Sequence, residues 1–87
     1  MSSQTRVALV TGAGSGIGRV VTRAFLGDGY NVVLAGRRQE PLEQTVAEAG
    51  AGPEQVLVVP TDVADPEAVA ALFDAAKERF GRLDVLF

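Results

Sequence analysis

The stretch VALVTGAGSGIG, residues 7–18, constrains the fold of this chain more than any other. Four apolar residues lead into a loop with four glycines, and a helical pattern of apolar residues begins directly after it. Backbone N–H groups in the first turn of a helix have no partner within the helix, and the helix dipole adds partial positive charge there. The stretch therefore predicts a strand, a tight loop and a helix N-terminus that can bind a phosphate without a basic side chain.

Three further apolar runs predict the remaining strands of a sheet. They lie at residues 31–35, 56–59 and 83–87. Like residues 7–10, most of them are continuous rather than alternating, which is typical of strands that are covered on both faces.

The apolar residues between these runs recur at helical spacing and predict three helices. In the first helix, one apolar stripe facing the core is expected at Ile17, Val20, Val21, Ala24 and Phe25. The second helix should end at Gly50. The third should begin at Asp65, where a capping carboxylate precedes a proline, and end at Gly81.

Strands and helices thus alternate along the whole chain. This order predicts an α/β fold, a Rossmann-type doubly wound parallel sheet of about four strands in the order 3-2-1-4, with three helices. Residues 1–87 would form the N-terminal part of one dinucleotide-binding domain, with no second domain. An apolar edge at residues 83–87 would be left exposed. We therefore expect this sheet to be incomplete, and the chain to belong to a longer polypeptide or to need a companion chain.

The composition excludes several classes of function. The chain has a net charge of −3, which disfavours general nucleic-acid binding. It contains no cysteine and no histidine, so disulfides, thiolate nucleophiles and histidine-based chemistry are excluded within it. The first six residues lack the apolar core of a signal peptide, and no apolar run is long enough to span a membrane. We expect a soluble cytoplasmic protein without nucleic-acid or membrane partners.

The glycine loop matches one phosphate-binding pattern and fails two others. A Walker loop requires a Gly-Lys pair, which this sequence lacks. The pattern G-x-G-x-x-G fails because its sixth position is Ile17 or Arg19. The pattern T-G-x-x-x-G-x-G fits residues 11–18 in full. In this respect the chain resembles the opening half of a short-chain dehydrogenase/reductase, whose cofactor fingerprint has this spacing.

Each of the three fingerprint positions requires glycine for a different physical reason. Gly12 lets the chain leave the strand in a conformation that a Cβ disfavours, Gly16 lets the backbone approach a pyrophosphate, and Gly18 lets the helix pack closely. The alternative is a structural turn without a ligand. Under the resemblance, the cofactor-binding residues of this stretch are Gly12, Gly14, Ser15, Gly16, Ile17 and Gly18.

The end of the second predicted strand favours NADP(H) over NAD(H). A carboxylate in this region of such folds binds the ribose diol of NAD, whereas an arginine accommodates the 2′-phosphate of NADP. This chain has Gly36 followed by Arg37 and Arg38. Many NADP-preferring relatives also carry a basic residue where this chain has Ser15, so selectivity would rest mainly on the two arginines. A solvated loop is the alternative interpretation of the pair.

The segment after the third predicted strand supplies two further candidates. The resemblance implies that Asp62 binds the adenine amino group and that the Val63 backbone supplements it. From the residues alone, Asp62 is equally well explained as a turn or capping residue.

The residues that carry out catalysis in this family are absent from the sequence. The family uses a serine and a Tyr-x-x-x-Lys pair, but the only tyrosine, Tyr30, is followed four residues later by Leu34. We therefore predict no catalytic residue in this chain, which alone should be inactive.

The resemblance implies an NADP(H)-dependent oxidoreductase that acts on a carbonyl or alcohol, with this chain supplying the adenosine and pyrophosphate portion of the site. It also implies a homo-oligomer, a dimer or tetramer, once the missing C-terminal half or companion chain is present. The alternatives are a non-catalytic dinucleotide-binding module and a truncated fragment without independent activity.

Overall fold

The computed structural model of the protein describes residues 5–87, in which strands and helices alternate as predicted. A 3₁₀ turn, Pro53–Gln55, precedes the third strand. The elements are β1 (Val7–Thr11), α1 (Gly16–Gly27), β2 (Asn31–Gly36), α2 (Gln39–Ala49), β3 (Val56–Pro60), α3 (Pro66–Phe80) and β4 (Val85–Leu86).

The four strands form one parallel sheet in the order β3-β2-β1-β4, which confirms the predicted topology. Thr11 lies opposite Ala35 and Gly36 lies opposite Pro60, so β1, β2 and β3 end at one edge of the sheet. The loops that follow these three strands therefore emerge side by side.

Strand β4 is shorter than the predicted run at residues 83–87, because only Val85 and Leu86 are in extended pairing with β1. Backbone hydrogen bonds continue on both sides of it. The N–H of Asp84 donates to the carbonyl of Val7, and the N–H of Thr11 donates to the carbonyl of Phe87. The pairing therefore spans more of this segment than the two strand residues.

Both faces of the sheet are covered, which explains the continuous apolar runs in β1 and β2. Residues 7–10 and 32–35 are all buried. On one face, Leu9 and Val33 pack in a cluster with Leu72 of α3. On the other face, Leu34 packs in a cluster with Leu42 of α2.

The predicted stripe of α1 is wrong in part. Ile17 is 73% exposed and Val20 is 65% exposed, and Ala24 is exposed as well. The buried residues of this helix are instead Gly18 and Thr22.

Compared with the prediction, α1 is rotated about its own axis, because it lies very close to the end of β1. A Cβ on Gly18 would overlap the carbonyl oxygen of Gly12, so only the hydrogen of a glycine fits between them. The hydroxyl of Thr22 donates to the carbonyl of Gly18 at 2.8 Å, which satisfies this buried polar group. The other two predicted stripe residues, Val21 and Phe25, are partly buried and pack against the core cluster around Leu34, so the prediction is confirmed for them.

The predicted ends of α2 and α3 are confirmed. Gly50 caps α2 and Gly81 caps α3, with φ of 69° and 78°, in the left-handed region that favours glycine. At the start of α3, the Asp65 carboxylate accepts a hydrogen bond from the N–H of Glu67 at 3.0 Å. Pro66 occupies the first position of the helix, where a missing N–H costs nothing.

Asp84 connects β4 to the start of β1. Its Oδ2 accepts from the N–H of Val7 at 2.8 Å, and its Oδ1 lies 2.7 Å from the guanidinium of Arg82. The hydrogen bond from Arg82, and secondly that from Val7, holds the pKa of Asp84 below the ordinary aspartate value. The negative charge is therefore favoured in the folded state.

We expect Asp84→Asn to lower the free energy of unfolding at neutral pH. In acid the difference from the unsubstituted protein should disappear. Because the folded pKa lies below the unfolded one, the charge stabilises the fold above the unfolded pKa, about 3.9, and the contribution disappears as pH falls through the folded pKa. Urea unfolding at several pH values measures the difference in free energy of unfolding. Asp74→Asn, at an exposed position on α3, is the control, and an equal pH dependence in both variants would contradict the assignment.

Candidate nucleotide-binding site

The loop between β1 and α1 requires glycine at two positions for its backbone conformation. Gly12 has φ of 64° and Gly16 has φ of 54°. A Cβ at either position would meet no atom within 4 Å, so conformation rather than space excludes other residues. The open space beside these residues also leaves the loop backbone accessible to a ligand.

Two other glycines of the loop region are required by packing. At Gly18 a Cβ would overlap the Gly12 carbonyl. Because glycine has no Cβ, the first turn of α1 can lie directly against the end of β1. At Gly14 a Cβ would lie only 2.8 Å from the Cβ of Pro41, so the loop also packs against α2. The glycines thus hold the loop against two elements.

The N-terminus of α1 begins within this loop. Ser15 is its N-cap residue, and its side chain makes no capping hydrogen bond within the described residues. The N–H of Arg19 is bonded to the carbonyl of Ser15 at 3.3 Å. The N–H groups of Gly16, Ile17 and Gly18 precede this first helical bond and lie at the positive end of the helix dipole. This is the arrangement that anions bind.

A groove of about 390 Å³ connects the loop with the end of β2 and the start of α2. Five predicted site residues line it: Gly12, Gly14, Ser15, Arg37 and Arg38. The others lie outside this lining. A larger groove of about 460 Å³ runs between α1 and α2 and is lined by none of the predicted site residues.

Arg37 lies near Asp62, at the ends of the neighbouring strands β2 and β3. Its guanidinium is 3.7 Å from Oδ1 of Asp62, and the two side chains are 76% and 51% exposed. Arg38 is the N-cap residue of α2 and is exposed. Arg37 and Asp62, which are a cationic and an anionic predicted cofactor contact, are therefore neighbours.

Asp62 is a turn residue in this structure. Its Oδ1 accepts a hydrogen bond from the N–H of Ala64 at 3.0 Å, and its carbonyl accepts from the N–H of Asp65. The contact with Arg37 involves the same Oδ1. Neither contact involves Oδ2, so a turn role does not prevent the carboxylate from binding a ligand. Val63, the next residue, is 60% exposed.

Sequence reasoning missed Arg19, which lines the groove and contacts the loop directly. Its Nη2 donates to the carbonyl of Gly14 at 2.7 Å, and its Nε donates to Oγ1 of Thr45 on α2 at 3.0 Å. One signal could have revealed it. A cation in the first turn of a helix is opposed by the helix dipole, so an arginine there indicates a specific set of partners.

Residues 5–87 contain neither a metal-binding cluster of side chains nor a membrane-spanning helix. No group of three or more His, Cys, Asp or Glu side chains in this range could hold a metal ion. Among these residues, no helix combines the length and the apolar character that crossing a bilayer requires.

Residues 6–87 match the family described as short chain dehydrogenase. The chain belongs to this family. An uncharacterized oxidoreductase of Staphylococcus aureus is 43% identical over 81 residues, covering 93% of this chain and 34% of the relative. A short chain dehydrogenase/reductase of Colletotrichum higginsianum is 41% identical over 81 residues, covering 93% of this chain and 30% of that protein.

Solved structures of the family superpose closely on this chain. One is a 3-ketoacyl-(acyl-carrier-protein) reductase from Brucella melitensis complexed with NADH, with a TM-score of 0.86 and 34% identity, covering 97% of this chain and 34% of that one. Another is a short chain dehydrogenase/reductase from Burkholderia phymatum in complex with NAD, with a TM-score of 0.88 and 39% identity, covering 100% and 31%. The chain thus spans about a third of the length of these relatives.

We expect Gly18→Ala to lower the free energy of unfolding by about 1–3 kcal/mol, because the added methyl group overlaps the Gly12 carbonyl. Gly27→Ala, on the same helix with open space around its Cβ, is the matched control and should be neutral or stabilising by up to about 1 kcal/mol. Urea unfolding of both variants measures the difference. Equal stability of the two would contradict the packing argument.

Proposed function

We propose that this protein is an NADP(H)-dependent oxidoreductase that acts on a carbonyl or an alcohol. The chain would supply the portion of the site that binds adenosine and pyrophosphate. The observation that carries the proposal is the shared groove, which the glycine loop lines on one side and Arg37 and Arg38 line on the other. Two relatives with this fold are solved with NADH and NAD, which supports a nicotinamide dinucleotide as the ligand class.

The residues of the loop fit the pyrophosphate. The free N–H groups at the start of α1 can donate to its oxygens, and the helix dipole attracts its charge. Gly16 presents bare backbone, because no Cβ projects into the open space beside it. Ser15 adds a hydroxyl at the rim of the groove. The remaining proposed contacts in this stretch are those of Gly12, Gly14, Ile17 and Gly18.

The preference for NADP(H) rests on the end of β2. A charge-assisted hydrogen bond between a guanidinium and a phosphate contributes about 1.5–3 kcal/mol, or roughly ten- to a hundred-fold in affinity. Gly36 introduces no carboxylate that would repel the phosphate. A Cβ there would lie 3.1 Å from Cδ2 of Leu42, so a side chain at this position would require Leu42 to shift by a few tenths of an ångström. Arg37 and Arg38 are exposed on the adjacent loop and can reach a ligand in the groove.

The adenine would lie at the end of β3. Oδ2 of Asp62 can accept from its exocyclic amino group, with the backbone of Val63 beside it. The nicotinamide, when bound, would donate a hydride to a carbonyl substrate or accept one from an alcohol. The residues of this chain bind and orient the dinucleotide, and none of them is proposed to be catalytic. The homo-oligomeric state, the cytoplasmic location and the assignment of residues 1–87 to a single domain stay predictions.

We expect Arg37→Asp to weaken binding of NADPH by about ten- to a hundred-fold and binding of NADH by less than about three-fold, because only NADPH carries the 2′-phosphate. Isothermal titration of the purified protein with both nucleotides measures the two dissociation constants. Arg23→Asp makes the same charge change at an exposed position on α1 and should leave the ratio unchanged. Equal losses for NADPH and NADH in Arg37→Asp would remove the basis of the NADP(H) assignment.

We expect Asp62→Asn to raise the preference for NADPH over NADH. The carboxylate competes with the 2′-phosphate for Arg37, and an exposed ion pair of this kind contributes about 0.2–1 kcal/mol, so the ratio of dissociation constants should shift by up to about five-fold. Loss of the adenine contact affects both nucleotides alike and cancels in the ratio. An unchanged ratio would show that Arg37 and Asp62 do not compete in this way.

The alternatives are separated by the presence of the family's catalytic residues in the full-length polypeptide or a companion chain, and by nucleotide binding to this chain. A serine and a Tyr-x-x-x-Lys pair there, with oxidation of NADPH by aldehydes or ketones when that part is present, would support the oxidoreductase. Saturable NADPH binding by this chain without those residues elsewhere would favour the non-catalytic dinucleotide-binding module. No saturable binding would favour a fragment without independent function.

A further inference from the structure

Arg19 connects the glycine loop to α2 through a set of short contacts. Its side chain is 25% exposed. The guanidinium donates to the carbonyl of Gly14 at 2.7 Å and to Oγ1 of Thr45 at 3.0 Å. A longer contact of 3.4 Å reaches the half-exposed carboxylate of Glu48. These contacts join the loop, α1 and α2 at one side chain.

Thr45 extends this connection to the next residue of the loop. It is fully buried on α2. Its hydroxyl accepts from Nε of Arg19 and can donate its single proton to the carbonyl of Ala13 at 2.8 Å or to that of Pro41 at 3.1 Å. The shorter contact is the one to the loop. The carbonyls of two successive loop residues, Ala13 and Gly14, therefore accept hydrogen bonds from the side chains of Thr45 and Arg19.

The orientation of these carbonyls determines the direction of the N–H groups that follow them. The peptide bonds of the described chain are trans, and in a planar trans peptide the C=O and N–H groups point in opposite directions. When the Ala13 carbonyl is held toward Thr45, the N–H of Gly14 points away from α2. When the Gly14 carbonyl is held toward Arg19, the N–H of Ser15 points away from that guanidinium. That N–H donates to the carbonyl of Gly12 at 3.5 Å, which closes the turn of the loop.

We propose that Arg19 and Thr45 are positioning residues that fix the loop backbone and so orient the Gly14 N–H group for the pyrophosphate of the dinucleotide. This inference rests on the proposed function for its ligand, whereas the loop orientation itself can be tested without one. The position of Arg19 agrees with this role. A cation in the first turn of α1 opposes the helix dipole, and its bonds to the loop and to Thr45 offset that cost.

The test compares NADPH with adenosine 2′-monophosphate, which carries the adenine and the 2′-phosphate but no pyrophosphate. In Arg19→Gln and in Thr45→Val the dissociation constant of NADPH should rise about ten-fold, equivalent to about 1.4 kcal/mol. That of adenosine 2′-monophosphate should change by less than about two-fold, since Arg37 and Asp62 remain. Equal weakening of both ligands, as general destabilisation would produce, would overturn the proposal, and so would no weakening of NADPH.

Two variants serve as controls. Arg23→Gln removes an exposed arginine one turn further along α1 and should not alter either constant. Thr45→Ser keeps the hydroxyl and should restore most of the NADPH affinity that Thr45→Val loses. Failure of serine to do better than valine would contradict the hydrogen-bond relay.

A second measurement needs no nucleotide. The amide resonances of residues 13–16 in the free protein should shift in Arg19→Gln and Thr45→Val, but not in Arg23→Gln. Unchanged resonances would overturn the positioning role even if NADPH binds. Failure of the unsubstituted protein to bind NADPH would instead contradict the proposed function, and the amide resonances would still decide whether Arg19 and Thr45 set the loop.

Discussion

The contact between Gly18 and the carbonyl of Gly12 is the constraint on which the rest of the site depends. No side chain fits between them, so the first turn of α1 lies directly against the end of β1. This approach turns Gly18 and Thr22 inward and leaves Ile17 and Val20 exposed. It also brings the N–H groups at the helix start to the edge of the sheet where three strands end. A bulkier residue at position 18 would separate the helix dipole from the groove.

Much of the fold could be predicted because it depends on local signals. The apolar runs of β1 and β2, the Asp65 cap and the glycine at position 81 each specify their own element. The inward face of α1 could not be predicted in full from hydrophobic periodicity, since it is set by a distance between two backbones. The contacts of Arg19 with Thr45 could not be predicted either, because they join residues 26 positions apart whose meeting depends on how α2 packs against the loop.

The candidate site shows the same division. The residue types were readable in the glycine spacing and in the arginine pair, because each carries its chemistry wherever it is placed. The proximity of Arg37 and Asp62 was not, although both were candidates, since it follows from the adjacency of β2 and β3. The two interpretations of Asp62 turn out to be compatible. Its turn hydrogen bond to Ala64 uses one carboxylate oxygen, and the other remains outside that bond.

The parallel register of the sheet has a consequence for any molecule that lies across its edge. Neighbouring strands are about 4.8 Å apart, so the segments after β1 and β3 begin roughly 10 Å from each other, with the segment after β2 midway. The strand spacing therefore fixes the distances between the backbone segments that can contact a ligand along this edge. Substitutions of side chains at the edge can change which chemical groups are bound, but they leave these distances unchanged.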